Sequence, residues 1–404
     1  MLSLSDLEDA RDRVADVARH TPMEYSHTFS DRTGAEVHLK LENFQRTGSF
    51  KIRGATNRIA TLSEEEKEAG VVTASAGNHA QGVALAATRV GVDSTIVMPK
   101  HAPVSKVKAT RNYGGNVVLH GVDYNEAQAH AHDIEERENR TYVHAFDDEK
   151  VMAGQGTIGL EIADDCPDVD TVVVPIGGGG LIAGISTAMK GTFGDDVRVV
   201  GVQAEGASSA AESLEKGERH ERESVDTIAD GIATRSIGEQ TFEVIQERVD
   251  EVVTVSDEEI ALALTLLLER SKTLVEGAGA VPMAAVLTEA FDYDDGDVIV
   301  PALCGGNIDL NRMTTIVMRG LVQMGRYLKI KTVLKDRPGE LETIATIVSN
   351  HGANVYAVHH DRTARDVAVN AAELEVEMET NDEEHAAEIV ATLRDRGYEV
   401  EVLV

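Results

Sequence analysis

The stretch Val172-Val173-Val174-Pro175-Ile176-Gly177-Gly178-Gly179-Gly180-Leu181 decides how this chain is read. A short β-branched run from Thr171 to Pro175 reads as a buried strand. Four successive glycines follow, and Leu181 to Met189 then reads as a helix. Strand, glycine loop and helix together aim backbone N–H groups and a helix N-terminus at an anion. No Gly-Lys-Ser/Thr follows, so the loop is not a P-loop. Gly178-x-Gly180-x-x-Ala183 partly matches the dinucleotide fingerprint, with Glu205 downstream as a conceivable ribose acid. An NAD-dependent oxidoreductase is therefore one competing reading.

The same theme recurs on both sides of this stretch. Val71 to Thr73 precedes a polar loop and a helix over Ala80 to Thr88. Ser94 to Met98 leads to a helix near Val104 to Asn112, and Val117 to Leu119 to a helix over Glu126 to Glu138. Val197 to Val202 and Val298 to Val300 add further buried strands. Ser5-Asp6-Leu7-Glu8 reads as a capping box opening an amphipathic helix with Leu7, Ala10, Val14 and Val17 on one face. Alternating strands and helices predict an α/β protein with parallel sheets and flanking helices. Beyond Gly325 the pattern changes. Tyr327 to Leu334 alternates as a strand, and the turn Asp336-Arg337-Pro338-Gly339 opens a helix over Glu340 to Asn350. Strands over Asn354 to His360 and Val367 to Met378, a helix over Asp382 to Arg396 and a strand over Glu399 to Val404 complete a ferredoxin-like β-α-β-β-α-β unit. The expected organisation is a region over 1–325, with a nested α/β subdomain at roughly 50–150, and a second domain over 326–404.

A length of 404 residues is consistent with two or three domains and a core that needs no disulfide staples. The formal net charge is −32. So acidic a surface disfavours nucleic acid and anionic membrane as partners. The tail from Leu328 carries 16 acids against 8 bases, so it shares the general acidity. Lysines number 13 against 25 arginines. Such self-repulsion suits a cytosol of high salt, where screening acts within ~3 Å at 1 M. Cys166 and Cys304 form neither a disulfide framework nor a C-x-x-C pair. The opening residues lack a signal-peptide pattern, and no apolar run reaches the roughly 18 residues of a membrane span. A cytoplasmic protein is expected.

Three further motifs carry chemistry. In Thr47-Gly48-Ser49-Phe50-Lys51-Ile52-Arg53-Gly54 a lysine stands between apolar residues. Taken alone it reads as a surface lysine; desolvated, its pKa would fall and it would become a Schiff-base former. Ser75-Ala76-Gly77-Asn78-His79-Ala80-Gln81-Gly82 follows a strand and opens a helix, either as an anion site or as a plain capped turn. Ala302-Leu303-Cys304-Gly305-Gly306-Asn307 follows an apolar run, and its cysteine alone reads as structural. His130 and His132, two residues apart, do not share a helix face, so no metal is expected.

Together these motifs, in this order over residues 5–322, resemble the fold-type II pyridoxal-phosphate enzymes, and more narrowly the threonine dehydratases (threonine ammonia-lyases). The tail around Asp336-Arg337-Pro338-Gly339-Glu340-Leu341 resembles an ACT domain, an amino-acid-sensing module. The resemblance implies pyridoxal 5'-phosphate as cofactor, carried by Lys51, which would also shuttle the α-proton. It implies Phe50 beside the pyridine ring, Asn78 at its phenolic oxygen and Cys304 at its nitrogen. Gly177, Gly178, Gly179, Gly180 and Leu181 would cradle the phosphate. Ser75, Gly77, Asn78 and His79 would grip the substrate carboxylate, with Gly231 and Glu276 lining the pocket. Asp336, Gly339 and Asn354 would contact an amino-acid effector. A homo-oligomer, dimer or tetramer, is implied.

The implied reaction is deamination of L-threonine to 2-oxobutanoate and ammonia, with L-serine as a second substrate, as in isoleucine biosynthesis. A serine dehydratase or racemase of the same fold is the nearest alternative. Serine racemases typically carry a serine where this chain has Ala76, and alanine cannot donate a proton. Gln203 stands where racemases place a cation-binding acid. An amino-acid sensor without catalysis is a reading of another class, and the intact Lys51 motif speaks against it.

Overall fold

The structure, a computed structural model, describes residues 2–364 and 367–404. The chain divides into two compact units, Met1–Asp309 and Leu310–Val404. The expected boundary near Gly325 lies inside the second unit. Helix Leu310–Gln323 separates it from the division point, and that helix packs on the first strand of the C-terminal sheet.

The first unit holds two sheets. The larger runs β1-β2-β10-β7-β8-β9, made of Met23–Tyr25, Glu36–Lys40, Val298–Pro301, Thr171–Pro175, Arg198–Ala204 and Glu251–Val255. All neighbours are parallel except β1, which pairs antiparallel with β2. The smaller runs β5-β4-β3-β6, made of Asn116–Leu119, Ser94–Met98, Val71–Ala74 and Thr141–Tyr142, and is parallel throughout. Strands β3, β4, β7 and β10 are buried at every position, which accounts for their unbroken apolar runs. Helices Lys51–Ala60, Asn78–Val90, Glu149–Asp165 and Gly180–Phe193 pack on one another, and Asn78–Val90 and Gly180–Phe193 also lie against these sheets. The N-terminal helix starts earlier than the sequence reading placed it. Ser3, not Ser5, is its cap and forms the box with Asp6, because Leu4 already belongs to the helix Leu4–Val14. Leu7, Ala10 and Val14 are buried on its inner face as expected, whereas Val17, though buried, lies past the helix end at Val14.

The second unit carries an antiparallel sheet β12-β13-β11-β14 (Asn354–Asp361, Ala371–Glu379, Tyr327–Lys335, Val400–Val402). With helices Glu340–Asn350 and Glu383–Asp395 the order is β-α-β-β-α-β, an ACT-like arrangement. Leu328, Ile330, Leu374, Val376 and Met378 face the helices and form the core with Ile344, Val348 and Ile389. The opposite face of β11 and β13 is charged: Lys329 meets Glu375 and Glu377, and Lys331 meets Glu373. β13 begins at Ala371, four residues later than the sequence pattern set it, since Val367 lies outside the ladder with β11, which ends at the Lys335–Ala371 pair.

Candidate active site

Lys51 is the first residue of its helix, and Phe50 precedes it as an N-cap without side-chain capping. The Phe50 N–H donates to Cys304 O at 3.1 Å, which fastens the start of this helix to the loop after β10. Lys51 Nζ donates to Ala145 O at 2.8 Å and lies 5.1 Å from the centre of the Phe50 ring. Burial pulls this amine down to about 8, against the upward pull of Cys304 and Glu276. The sequence left open whether Lys51 is a surface lysine; the fold desolvates it.

Helix Asn78–Val90 starts beside it, with Gly77 as N-cap and again no side-chain cap. Gly82 permits the approach, because a Cβ there would stand 3.0 Å from the Lys51 carbonyl carbon. Asn78 Nδ2 donates to Glu276 Oε1 at 2.6 Å, and Asn78 Oδ1 accepts from Asn307 Nδ2 at 2.7 Å. The other donor contact of Asn307 is Thr47 O, at 2.7 Å. Asn307 thus orients the Asn78 amide and ties the Cys304 motif to the Lys51 motif. Its position in Cys-Gly-Gly-Asn was visible in the sequence; its role needed the fold. Glu276 caps the helix Gly277–Leu287 without a side-chain bond, and its N–H donates to Gly305 O. Burial raises its carboxyl above the usual range although Asn78 opposes this. A Cβ on Gly231 would meet the Ala278 Cβ at 2.9 Å and Glu276 Oε1 at 3.3 Å, which puts Gly231 against the same carboxylate.

His79 is buried. Its Nε2 lies 2.9 Å from Val143 O, so Nε2 carries the proton and Nδ1 is a bare acceptor with no partner. Burial, and then the charge of Lys51, drive its pKa down to about 3. Ser75 turns its hydroxyl back to accept the Gly77 N–H at 3.2 Å. Cys304 Sγ donates to Ala278 O at 3.4 Å, and burial raises its thiol well above the ordinary range.

The glycine loop opens another uncapped helix, Gly180–Phe193, with Gly179 in the left-handed region at φ 96°. Its backbone is braced from outside: Gly178 O accepts from Gly238 N–H and from Thr241 Oγ1. A Cβ on Gly178 would stand 2.3 Å from the Phe146 ring. Leu181 is buried behind the loop. Helices opening at Lys51, Asn78, Gly180 and Gly277 all lack side-chain caps, and the bonds described tie together the termini at Lys51, Asn78 and Gly277. Such termini favour carboxylate and phosphate.

Behind the Lys51 helix lies a buried ion network. Arg53 grips Glu42 through Nε and Nη2 at 2.9 and 2.7 Å, and Glu161 through Nη1 and Nη2 at 2.7 and 2.9 Å. Lys40, fully buried, meets Glu161 at 2.8 Å and donates to Thr21 O. Elsewhere, the ring of His130 stacks on His120 and that of His132 on Tyr142. The Gln203 side chain is committed to Ala210 N–H, Ala211 N–H and Ile176 O. In the second unit, Asp336 accepts from Arg362 Nε at 3.0 Å, Gly339 caps helix Glu340–Asn350 at φ 96°, and Asn354 donates to Glu379 at 3.2 Å.

A family model described as pyridoxal-phosphate dependent enzyme matches residues 14–305. The chain is 49% identical over 403 residues to the L-threonine ammonia-lyase of Thermotoga maritima, covering 100% of both. Among solved structures, the processed form of threonine deaminase isoform 2 from Solanum lycopersicum aligns with a TM-score of 0.75 at 40% identity, over 78% of this chain and 87% of that one. Maize serine racemase aligns with a TM-score of 0.75 at 33% identity, over 80% and 98%. The partial dinucleotide fingerprint is thereby explained without NAD, and that competing reading is set aside. The chain belongs to the pyridoxal-phosphate dependent enzymes and, within them, to the threonine ammonia-lyase (threonine dehydratase) family.

Proposed function

We propose that the protein converts L-threonine to 2-oxobutanoate and ammonia by α,β-elimination of water, and acts on L-serine as well. One observation carries this reading: a desolvated Lys51 amine stands among uncapped helix N-termini, in a chain matched end to end by an L-threonine ammonia-lyase. The residues present fit pyridoxal phosphate, which needs a lysine amine and an anion-seeking loop. Lys51 would carry it, Gly177 to Gly180 and Leu181 would hold the phosphate, and Asn78 the phenolic oxygen. Phe50 and Cys304 would border the ring. When bound, the group supplies an electron-withdrawing ring that acidifies the substrate Cα–H.

The chain's own residues do the rest. Ser75, Gly77, Asn78 and His79 bind the substrate carboxylate at the helix N-terminus. Lys51, held near neutrality, takes the Cα proton at Nζ in its uncharged form. Gly231 leaves room beside Glu276 for the substrate. Cys304 presents a protonated thiol and no negative charge, so it does not hold a proton on the ring nitrogen as a carboxylate would. A racemase needs a proton donor on the opposite face of Cα. Ala76 offers none, so the reading as a racemase, favoured by the likeness to the maize enzyme, predicts only weak activity here. The test is release of 2-oxobutanoate from threonine. Lys51→Ala should abolish it, and threonine should exceed serine in kcat/KM by a modest margin, since a methyl group is worth ~1–3 kcal/mol. Serine ahead of threonine would reassign the chain as a serine dehydratase.

The second unit is proposed to bind a branched-chain amino acid near Asp336, Gly339 and Asn354 and to adjust the rate, as feedback in isoleucine biosynthesis would require. Its edge strand β12, with Tyr356 and Val358 exposed, supports pairing with a second copy in a dimer or tetramer. The surface acidity supports work in a cytoplasm of high salt.

A further inference from the structure

The turn His144-Ala145-Phe146-Asp147, just beyond β6, belongs to no sequence motif, yet each of its residues touches the site. His144 Nδ1 accepts the Asp147 N–H at 2.7 Å and the Phe146 N–H at 3.3 Å. A ring nitrogen that accepts two N–H groups carries no proton, so the ring's proton is on Nε2. Between the two bonded ends, Ala145 turns its carbonyl to Lys51 Nζ. The Phe146 ring fills the space in front of Gly178 and meets the His144 ring edge-on, with centroids 4.6 Å apart. The Asp147 carboxylate accepts the N–H groups of Glu239, Gln240 and Thr241, and Thr241 braces Gly178.

We propose that His144 is a positioning residue for Lys51: its unprotonated Nδ1 gathers the Phe146 and Asp147 N–H groups and so aims the Ala145 carbonyl at the lysine amine. The proposal rests on the reading of Lys51 as the reacting amine. A carbonyl binds an ammonium more strongly than an amine, so this contact supports the charged form that Lys51 takes once it has accepted a proton. A protonated His144 would set an N–H against two N–H donors and open the turn. Burial opposes that protonation, and Lys51 and His132 oppose it too, while Asp147 and Asp148 favour it. Lys51 itself faces Cys304 and Glu276, and His79 senses both Lys51 and His144.

Three variants test this in the full-length protein. His144→Leu removes the acceptor. His144→Gln places its amide near the Nε2 position, out of reach of the turn. His144→Asn places an acceptor oxygen near Nδ1. The first readout is the titration of Lys51 in protein freed of cofactor, from acetylation rate against pH with peptide mapping. The second is the pH profile of kcat with threonine in the loaded enzyme. Leu and Gln should lower the Lys51 midpoint by about one unit, the worth of a hydrogen bond to a charged group. They should move the acid limb of kcat the same way and cut kcat about tenfold through lost aim, with KM little changed. Asn should restore the midpoint and the limb. If Leu folds poorly, Gln gives the same comparison. The proposal is overturned if Lys51 titrates as in the parent when the acceptor is gone, or if Asn melts like the parent yet leaves the midpoint shifted. A parent without threonine turnover would sink the proposed reaction, while the titration would still decide the role of His144.

Discussion

Replacing Arg53 by methionine should destabilise the first unit severely, and more at high pH than at low. Arg53 is 1% exposed and makes four bonds to two carboxylates, Glu42 and Glu161, themselves 0% and 8% exposed. Burial works against the guanidinium charge, but the two carboxylates outweigh it and hold it fully ionised. Burial likewise works against ionised Glu161, and Arg53 and then Lys40 outweigh it and hold its carboxyl below the usual range. Methionine keeps much of the volume and removes the charge. Glu161 retains Lys40, whereas Glu42 retains only the Thr21 hydroxyl among the bonds described. Removing one partner of a buried pair costs about 3–5 kcal/mol. For a unit of this size that is a fall of roughly 5–8 °C in Tm.

The pH dependence follows from the signs. In the parent, Glu161 has a folded pKa below its unfolded one, so its contribution is present above the unfolded value and lost as pH falls through the folded one. In the variant, stranded Glu42 should have a folded pKa above the unfolded value. Stability then declines as pH rises past about 4.3, so the deficit is larger at pH 8 than at pH 5. Thermal unfolding at the two pH values in molar KCl measures it. A deficit under 1 kcal/mol, or one equal at both pH values, would refute the reasoning. Adding Glu42→Gln should recover part of the loss.

Gly178→Ala should weaken pyridoxal phosphate binding about 10- to 100-fold, because the new methyl meets the Phe146 ring at 2.3 Å and overpacking costs ~1–3 kcal/mol; fluorescence titration measures it, and an unchanged Kd would refute it. The kcat for threonine should rise with pH through about 8, as Lys51 loses the proton that blocks its action as a base; a flat profile from pH 6.5 to 9 would contradict that. Tm should increase between dilute buffer and molar KCl as screening relieves the net charge of −32, and an unchanged Tm would remove the salt argument. Isoleucine or valine should bind the full-length enzyme calorimetrically and shift threonine kinetics with a coupling of order 1–3 kcal/mol. Absence of both effects would leave the C-terminal unit a structural role.

Much of this was legible in the sequence, for definite physical reasons. Buried parallel strands read as unbroken apolar runs, so Thr171–Pro175 and Ser94–Met98 were found to the residue. The glycine loop, the Lys51 motif and the Asn78 helix announce themselves by residue types that only special backbones or chemistry require. What stayed hidden acts across long sequence separations. Arg53 sits two residues from Lys51 and read as part of its motif; its partner Glu161 is 108 residues away. Asn307 and Asn78 are 229 apart, and Lys51 and Ala145 are 94 apart. No local pattern encodes such pairings. The helix cap at Ser3 was misplaced because Ser5-Asp6-Leu7-Glu8 satisfies the same spacing rule, and only the helix path selects between them.

The Arg53 network also constrains how this sequence can change over generations. Each single replacement of Lys40, Arg53, Glu42 or Glu161 strands an opposite charge in the interior, while a concerted apolar replacement of the group need not cost stability at all. The intermediate steps are the obstacle, so drift at these four positions is blocked by epistasis even where the endpoint is viable. Because Arg53 shares a helix with Lys51, that barrier also shields the reacting amine from gradual displacement. A designer who exchanges all four at once could cross it, and could then learn whether charge or mere packing holds that helix in place.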